Sequence, residues 1–256
     1  MNPSEVCQPD DAVNDAIGYW KVFRRRHAIL PVIHVKDEEQ ALRNADIARR
    51  AGCDGVFLIN HTISHEILLS VHHAVVREHS EWWVGVNCLG LVPEDVFQII
   101  SSDVAGVWAG CALIREDQDE QPAAVNTRAK QVDSGWRGLY FGGVAFKYQR
   151  QVRDYGLAAR RAMPYMDVVT TSGSGTGEAA SVSKIAEMKK ALGAFPLAIA
   201  SGITPENVVD YLPVADCFLV ATGIAKSFSD LDPRRVRALM EVVRGYDRNN
   251  DAGLTV

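Results

Sequence analysis

Two glycine turns near the C-terminus carry the clearest chemical signal in the sequence. Ser201-Gly202-Ile203-Thr204-Pro205-Glu206-Asn207-Val208 follows the short apolar run 196–200, and Thr222-Gly223-Ile224 follows a second such run at 217–221. A strand, a glycine and a helix start leave backbone N–H groups pointing outward together, an arrangement that receives phosphate. Gly202 and Gly223 allow close approach to a ligand because they carry no Cβ. Thr204 is placed to cap a helix opened by Pro205, and Glu206 suits that helix's first turn. The competing reading is that both glycines only permit tight turns.

Other polar residues stand where apolar runs end. Thr171-Ser172-Gly173-Ser174-Gly175-Thr176-Gly177 alternates glycines with hydroxyls, and Ser172, Gly173 and Thr176 could hold the body of a ligand; the alternative is a surface loop. Lys147 follows the apolar stretch 144–146. A lysine there could neutralise an anion, stabilise an enolate or form a Schiff base, or simply reach out to solvent. His34 ends the first strand as a candidate general acid or base, with a structural role as the alternative. Asn60 and Asn87 end the next two strands, and neutral amides orient hydroxyls without transferring protons. His61 and His65 are spaced four apart, as in helical metal sites, but no H-E-x-x-H motif accompanies them, so no metal is assigned. No cofactor is assigned either. Strand ends carry few carboxylates, which argues against a two-acid glycosidase. Asp167 and Asp216 precede their strands and belong to the opposite, stabilising end.

Eight short apolar runs position these residues: 28–35, 55–60, 82–88, 104–109, 138–141, 167–171, 196–200 and 217–221. Segments of helical periodicity alternate with them, which specifies a parallel sheet. Eight such units in 256 residues specify an α/β fold, a single (β/α)8 TIM barrel over 28–248. Apolar positions at helical spacing in 11–25 imply an N-terminal extra helix within an extension over 1–27, and 249–256 reads as a frayed tail. The polar run 115–122 is either a loop over the mouth or surface. In a barrel the active site lies at the C-terminal ends of the strands, and phosphate sits after strands 7 and 8, where both glycine turns fall.

Lys and Arg total 27 against 32 Asp and Glu, so the basic surplus of nucleic-acid-binding proteins is absent. No apolar run approaches the ~20 residues that span a bilayer, and the polar, acidic start is not a signal peptide. The five cysteines form no C-x-x-C pair. Cys53, Cys88, Cys111 and Cys217 lie in or beside apolar runs, so they are expected to be buried and reduced in a cytoplasmic protein.

The run Asp167-Val168-Val169-Thr170-Thr171-Ser172-Gly173-Ser174-Gly175-Thr176-Gly177 resembles the D-A-V-I-V-T-G-x-x-T-G segment of the BtpA/SgcQ family. Ser201 to Val208 is similar to that family's S-G-V-T-x-E-N-V, Gly85-Val86-Asn87 to its G-I-N, and Lys147 to its lysine after strand 5. Tyr148 stands where the family favours His, and Asn60-His61 where it tends to have Glu-Asn, as in a divergent member. The turn after strand 7 also resembles the wider ribulose-phosphate-binding barrels. These resemblances imply a barrel that binds a phosphorylated sugar or a phosphoribosyl or nucleotide-like molecule. Lyase, isomerase and glycosyl-transfer chemistry all remain open. The family's link to photosystem assembly implies the alternative of a non-catalytic assembly or ligand-sensing factor. A metal-dependent hydrolase using His34, His61 and His65 is a weaker alternative. Barrels often pair through their outer helices, so a homo-oligomer is compatible with this fold.

Overall fold

The computed structural model describes residues 18–251, in which eight parallel strands close into one barrel in sequence order. The strands are β1 Ala28–Val35, β2 Gly55–Asn60, β3 Trp83–Asn87, β4 Gly106–Ala109, β5 Leu139–Gly143, β6 Val168–Thr171, β7 Leu197–Ala200 and β8 Cys217–Val220. Pairing of β1 with β8, Ala28 opposite Cys217, closes the circle. The helices are α1 Glu38–Arg50, α2 His65–Glu78, α3 Pro93–Ile99, α4 Pro122–Asp133, α5 Tyr155–Ala162, α6 Val182–Leu192 and α7 Pro233–Asp251. Side chains of Asp37, Ser64, Asp154 and Ser181 cap α1, α2, α5 and α6 by accepting backbone N–H groups of the first turn. These caps fix the starts of the four helices, α5 at Tyr155 and α6 at Val182 among them.

One expected element differs in kind. No α-helix opens at Pro205; a turn leads into a 3-10 segment, Val208–Asp210. The Asn207 side chain folds back, accepting from the Thr204 N–H at 2.8 Å and donating to the Gly202 carbonyl at 2.8 Å. These are the bonds of a helix N-cap, and the Thr204 carbonyl accepts from Val208 N–H at 3.0 Å, but Pro213 keeps this single turn from growing into an α-helix. At the other end α7 continues to Asp251, through the first residues of the expected tail. Of the N-terminal helix expected within 11–25, residues 18–22 are helical. Residues 1–17 and 252–256 lie outside the described residues. No helix of the described residues is long and apolar enough to cross a membrane.

The strands alternate between two cores. Outward side chains such as Ile29, Val56, Val84 and Ile199 pack against the helices. Inward ones fill the barrel with Leu30, Phe57, Trp83, Trp108, Phe141 and Leu219. Phe57 lies 5.0 Å from Trp83, 5.2 Å from Phe141 and 5.8 Å from Trp108 between ring centroids, largely edge to face. This aromatic filling requires glycines opposite: a Cβ on Gly85 would meet the Phe57 ring at 2.5 Å, and one on Gly106 the Trp83 ring at 2.2 Å. Tyr19 and Phe23 close the floor, with Phe23 5.3 Å from Trp83 and the Tyr19 hydroxyl donating to the Asp216 carbonyl. Floor carboxylates tie neighbouring strands. Asp54 accepts from Ile29 N–H and the Arg244 guanidinium, Asp167 from Tyr140 N–H, and Asp216 from Leu197 N–H and Lys189. These acids therefore stabilise the end away from the mouth.

Gly106→Ala is expected to destabilise the fold by about 1–3 kcal/mol in urea denaturation, because the added methyl meets the Trp83 ring. Adding Trp83→Leu should recover part of that loss, giving a coupling of at least about 0.5 kcal/mol. Simple additivity would show that Gly106 is not making room for the ring.

Candidate functional site

The strand ends surround a cavity of about 520 Å³ at the C-terminal mouth. Lys147, in the loop after β5, is its principal charge. Its backbone N–H donates to Ser172 Oγ at 2.8 Å, while its ammonium donates to Thr176 Oγ1 at 3.2 Å and Ser201 Oγ at 3.0 Å. Among the described residues no carboxylate lies within ion-pair distance of this ammonium, and no Asp or Glu lines the cavity. Burial lowers the Lys147 pKa, opposed by the neighbouring Tyr148. The surrounding backbone is strained: Ala145, Tyr148 and Ser201 have φ of 49°, 61° and 121°, values that L-residues rarely adopt.

Lys184, in the first turn of α6, braces this arrangement. Its ammonium donates to the carbonyls of Ala145 at 2.6 Å and Ser172 at 2.7 Å and lies 5.2 Å from the Tyr155 ring centre. It thus anchors both loops that hold Lys147, and burial pushes its pKa down to about 8. A cation in the first turn opposes the helix dipole. That misplacement is the sequence signal by which Lys184 could have been singled out.

Across the mouth, His34 and His61 stand with ring centroids 4.7 Å apart, and Phe228 from the loop after β8 packs against both at 4.3 and 5.1 Å. His34 Nδ1 is buried without a hydrogen-bond partner. Burial first, then His61 and Lys147, push the His34 pKa down to about 4. Burial and then Lys147 also lower that of His61. Phe228 was not among the expected site residues; its signal is a single aromatic in the polar stretch 226–230.

The structure brings His34, His61, Asn87, Lys147, Thr176, Ser201, Gly202 and Thr222 to the wall of one cavity. Other candidates stand behind it. Asn60 accepts from Leu89 N–H at 2.8 Å and donates to the Ile63 carbonyl, joining the loops after β2 and β3. Ser172 is fully buried beneath Lys147, and Gly173 packs where a Cβ would meet the Glu178 carbonyl oxygen at 2.2 Å. Thr204 spends its Oγ1 on the Glu206 N–H and its own N–H on Asn207, so this turn offers neither group outward. Gly223 lies where a Cβ would meet the Ile203 carbonyl oxygen at 1.9 Å, and Gly202 where it would meet Ala179 N at 2.2 Å. Close packing thus demands both glycines, and only Gly202 also lines the cavity. His65 rests on the Leu89 carbonyl at 3.1 Å. The one group of three metal-ligand atoms found among the described residues is His72, His73 and Asp103, away from the mouth. The 115–122 loop closes on itself through the Gln121 side chain and does not line the cavity. Cys53, Cys88 and Cys217 are buried, whereas Cys111 is exposed on the cavity wall, because β4 ends at Ala109 before reaching it.

Residues 149–245, from the loop after β5 through β8 into α7, match the BtpA family, so the resemblance read from the sequence holds over that part of the barrel. Among solved structures, phosphoribosyl anthranilate isomerase from Thermus thermophilus is 14% identical, with a TM-score of 0.62 over 86% of this chain and 99% of its own. (S)-3-O-geranylgeranylglyceryl phosphate synthase from Thermoplasma acidophilum, in complex with sn-glycerol-1-phosphate, is 14% identical, with a TM-score of 0.61 over 92% and 98%. A native KDPGal structure is 13% identical, with a TM-score of 0.61 over 85% and 94%. At such identities the likeness shows the barrel fold alone. No curated protein matches the chain.

In a histidine-ring NMR titration, His34 is expected to change protonation near pH 4 and not near 6.5. Since the folded value lies below the unfolded one, the His34 contribution to stability is complete above pH 6.5 and is lost as pH falls toward 4. His34→Gln should flatten that part of the pH–stability curve relative to the parent. A His34 midpoint at 6.5 would place its ring in water.

Proposed function

We propose that the chain is an enzyme acting on a small phosphorylated molecule, such as a phosphosugar or a phosphoribosyl or nucleotide-like compound, with its phosphate received beside Lys147. One observation carries this reading: the half-buried Lys147 ammonium has hydroxyl partners but no carboxylate, in a cavity lined by no acid. A cation withdrawn from water normally has a counter-charge, and a ligand anion supplies one here. Ser201 and Thr222, from the loops after β7 and β8, would share the phosphate, with Thr176 and Gly202 beside them. The family match over 149–245 includes these loops, and one similar barrel is a complex with sn-glycerol-1-phosphate. Asn87 would orient a ligand hydroxyl. Asn60, Ser172, Gly173, Thr204 and Gly223 would support the loops.

His34 acquires a conditional role. It is a weak base, first because it is buried and then because His61 and Lys147 repel a proton on its ring. A bound phosphate dianion would offset the Lys147 part of that repulsion and favour proton transfer at His34 to that extent. Lys147 would stabilise a developing enolate or, as a free amine, attack a carbonyl, which suits isomerase or lyase chemistry; glycosyl transfer is the third class. The low proton affinity of His34 favours, as a second reading, a ligand sensor without turnover. The free thiols of Cys53, Cys88, Cys111 and Cys217 fit a reducing compartment such as the cytoplasm.

Thermal shift with inorganic phosphate and ribose 5-phosphate tests the site. Ligand at about 100 times its Kd should add about 2.7 kcal/mol of stability. Lys147→Gln should weaken binding about tenfold or more, the loss of a charge-assisted contact. Equal shifts in both proteins would remove Lys147 from the anion site, and no shift with either compound would remove phosphate from the account.

A further inference from the structure

The geometry points to a narrower ligand class: a phosphate ester carrying a flat aromatic ring, seated against His34, His61, Phe228 and Trp108. This rests on the phosphate reading above, in which Lys147 holds the anionic end.

The mouth is divided by chemistry. Lys147, Thr176, Ser201 and Thr222 come from the loops after β5 to β8 and present a charge and three hydroxyls. His34 and His61 end β1 and β2, and β1 stands across the barrel from β5 in the strand order. With Phe228 they form three rings in mutual contact, at centroid separations of 4.3 to 5.1 Å. Their lowered pKa values leave both imidazoles neutral near pH 7, as aromatic surfaces without charge. Phe228 remains 67% exposed despite these contacts, so an apolar ring face is left open. Its loop is held in place. Gln40 and Asn44 both donate to the Ser229 carbonyl, Asn44 accepts from Leu231 N–H at 2.9 Å, and Ala225 bridges Leu231. An aromatic fixed in this way binds a ring at little ordering cost.

A bare sugar phosphate would leave these aromatic faces uncovered. The orphaned polar atoms nearby, His34 Nδ1 and Trp108 Nε1, are closed off from the cavity and place no demand on the ligand. A volume of about 520 Å³ accommodates a ligand of this size.

Calorimetric titration tests this with ribose 5-phosphate, adenosine and the four common nucleoside 5′-monophosphates. At least one nucleotide is expected to bind about tenfold or more tightly than ribose 5-phosphate. In Phe228→Ala that advantage should fall to about threefold or less, since the stacking face is removed. The inference is overturned if ribose 5-phosphate binds as well as every nucleotide, or if the advantage survives in Phe228→Ala. The first of those results would leave the phosphate reading standing. Adenosine binding as tightly as its monophosphate would instead refute the phosphate reading and keep the ring site. No binding by any of the compounds refutes both.

Discussion

An ammonium group drawn half out of water with no carboxylate beside it is the constraint on which the barrel mouth depends. Everything around Lys147 holds that group in place without neutralising it. Ser172 Oγ accepts its backbone N–H, Thr176 and Ser201 accept from its side chain, and Lys184 anchors the carbonyls of Ala145 and Ser172 beneath. Ala145, Tyr148 and Ser201 adopt backbone angles that cost of order 1–3 kcal/mol each. A chain carries such strain only when the rest of the fold over-determines it. Here the aromatic barrel interior and the carboxylate-tied floor supply that rigidity, at the end where no chemistry is needed.

The two halves of the mouth divide the work. The loops after β5 to β8 present a cation and hydroxyls, while the ends of β1, β2 and β4 with the Phe228 loop present neutral rings. Because Lys147 contributes to the low proton affinity of both His34 and His61, the halves are coupled electrically.

All eight strands were legible in the sequence because each contains a short buried apolar run, as at Leu197–Ala200, even where it ends in polar residues, as at Thr170 and Thr171 in β6. Lys147, His34 and Ser201 were legible because they are polar residues at the ends of such runs. At Pro205 the helix-start signals were real, since Thr204 and Asn207 make the bonds of an N-cap, but Pro213 stops the turn from becoming an α-helix. Gly202 and Gly223 could not be resolved as ligand contacts or packing requirements, since both demands select glycine and only the Cβ distances separate them. Asn60 and Ser172 illustrate a further limit. Residue type names the bonds a side chain can make, not whether the protein itself has already used them. Phe228 and Lys184 carried only weak local signals, because their roles arise from contacts between segments far apart in the chain.

The central claim is that an anion completes the Lys147 site. A crystal structure of the protein grown with ribose 5-phosphate tests it most directly. The account predicts phosphate density in hydrogen-bond reach of the Lys147 ammonium and the Ser201 and Thr222 hydroxyls. Phosphate bound only elsewhere, such as among Arg24, Arg25 and Arg26 at the floor, with Lys147 still on Thr176 and Ser201, would contradict it.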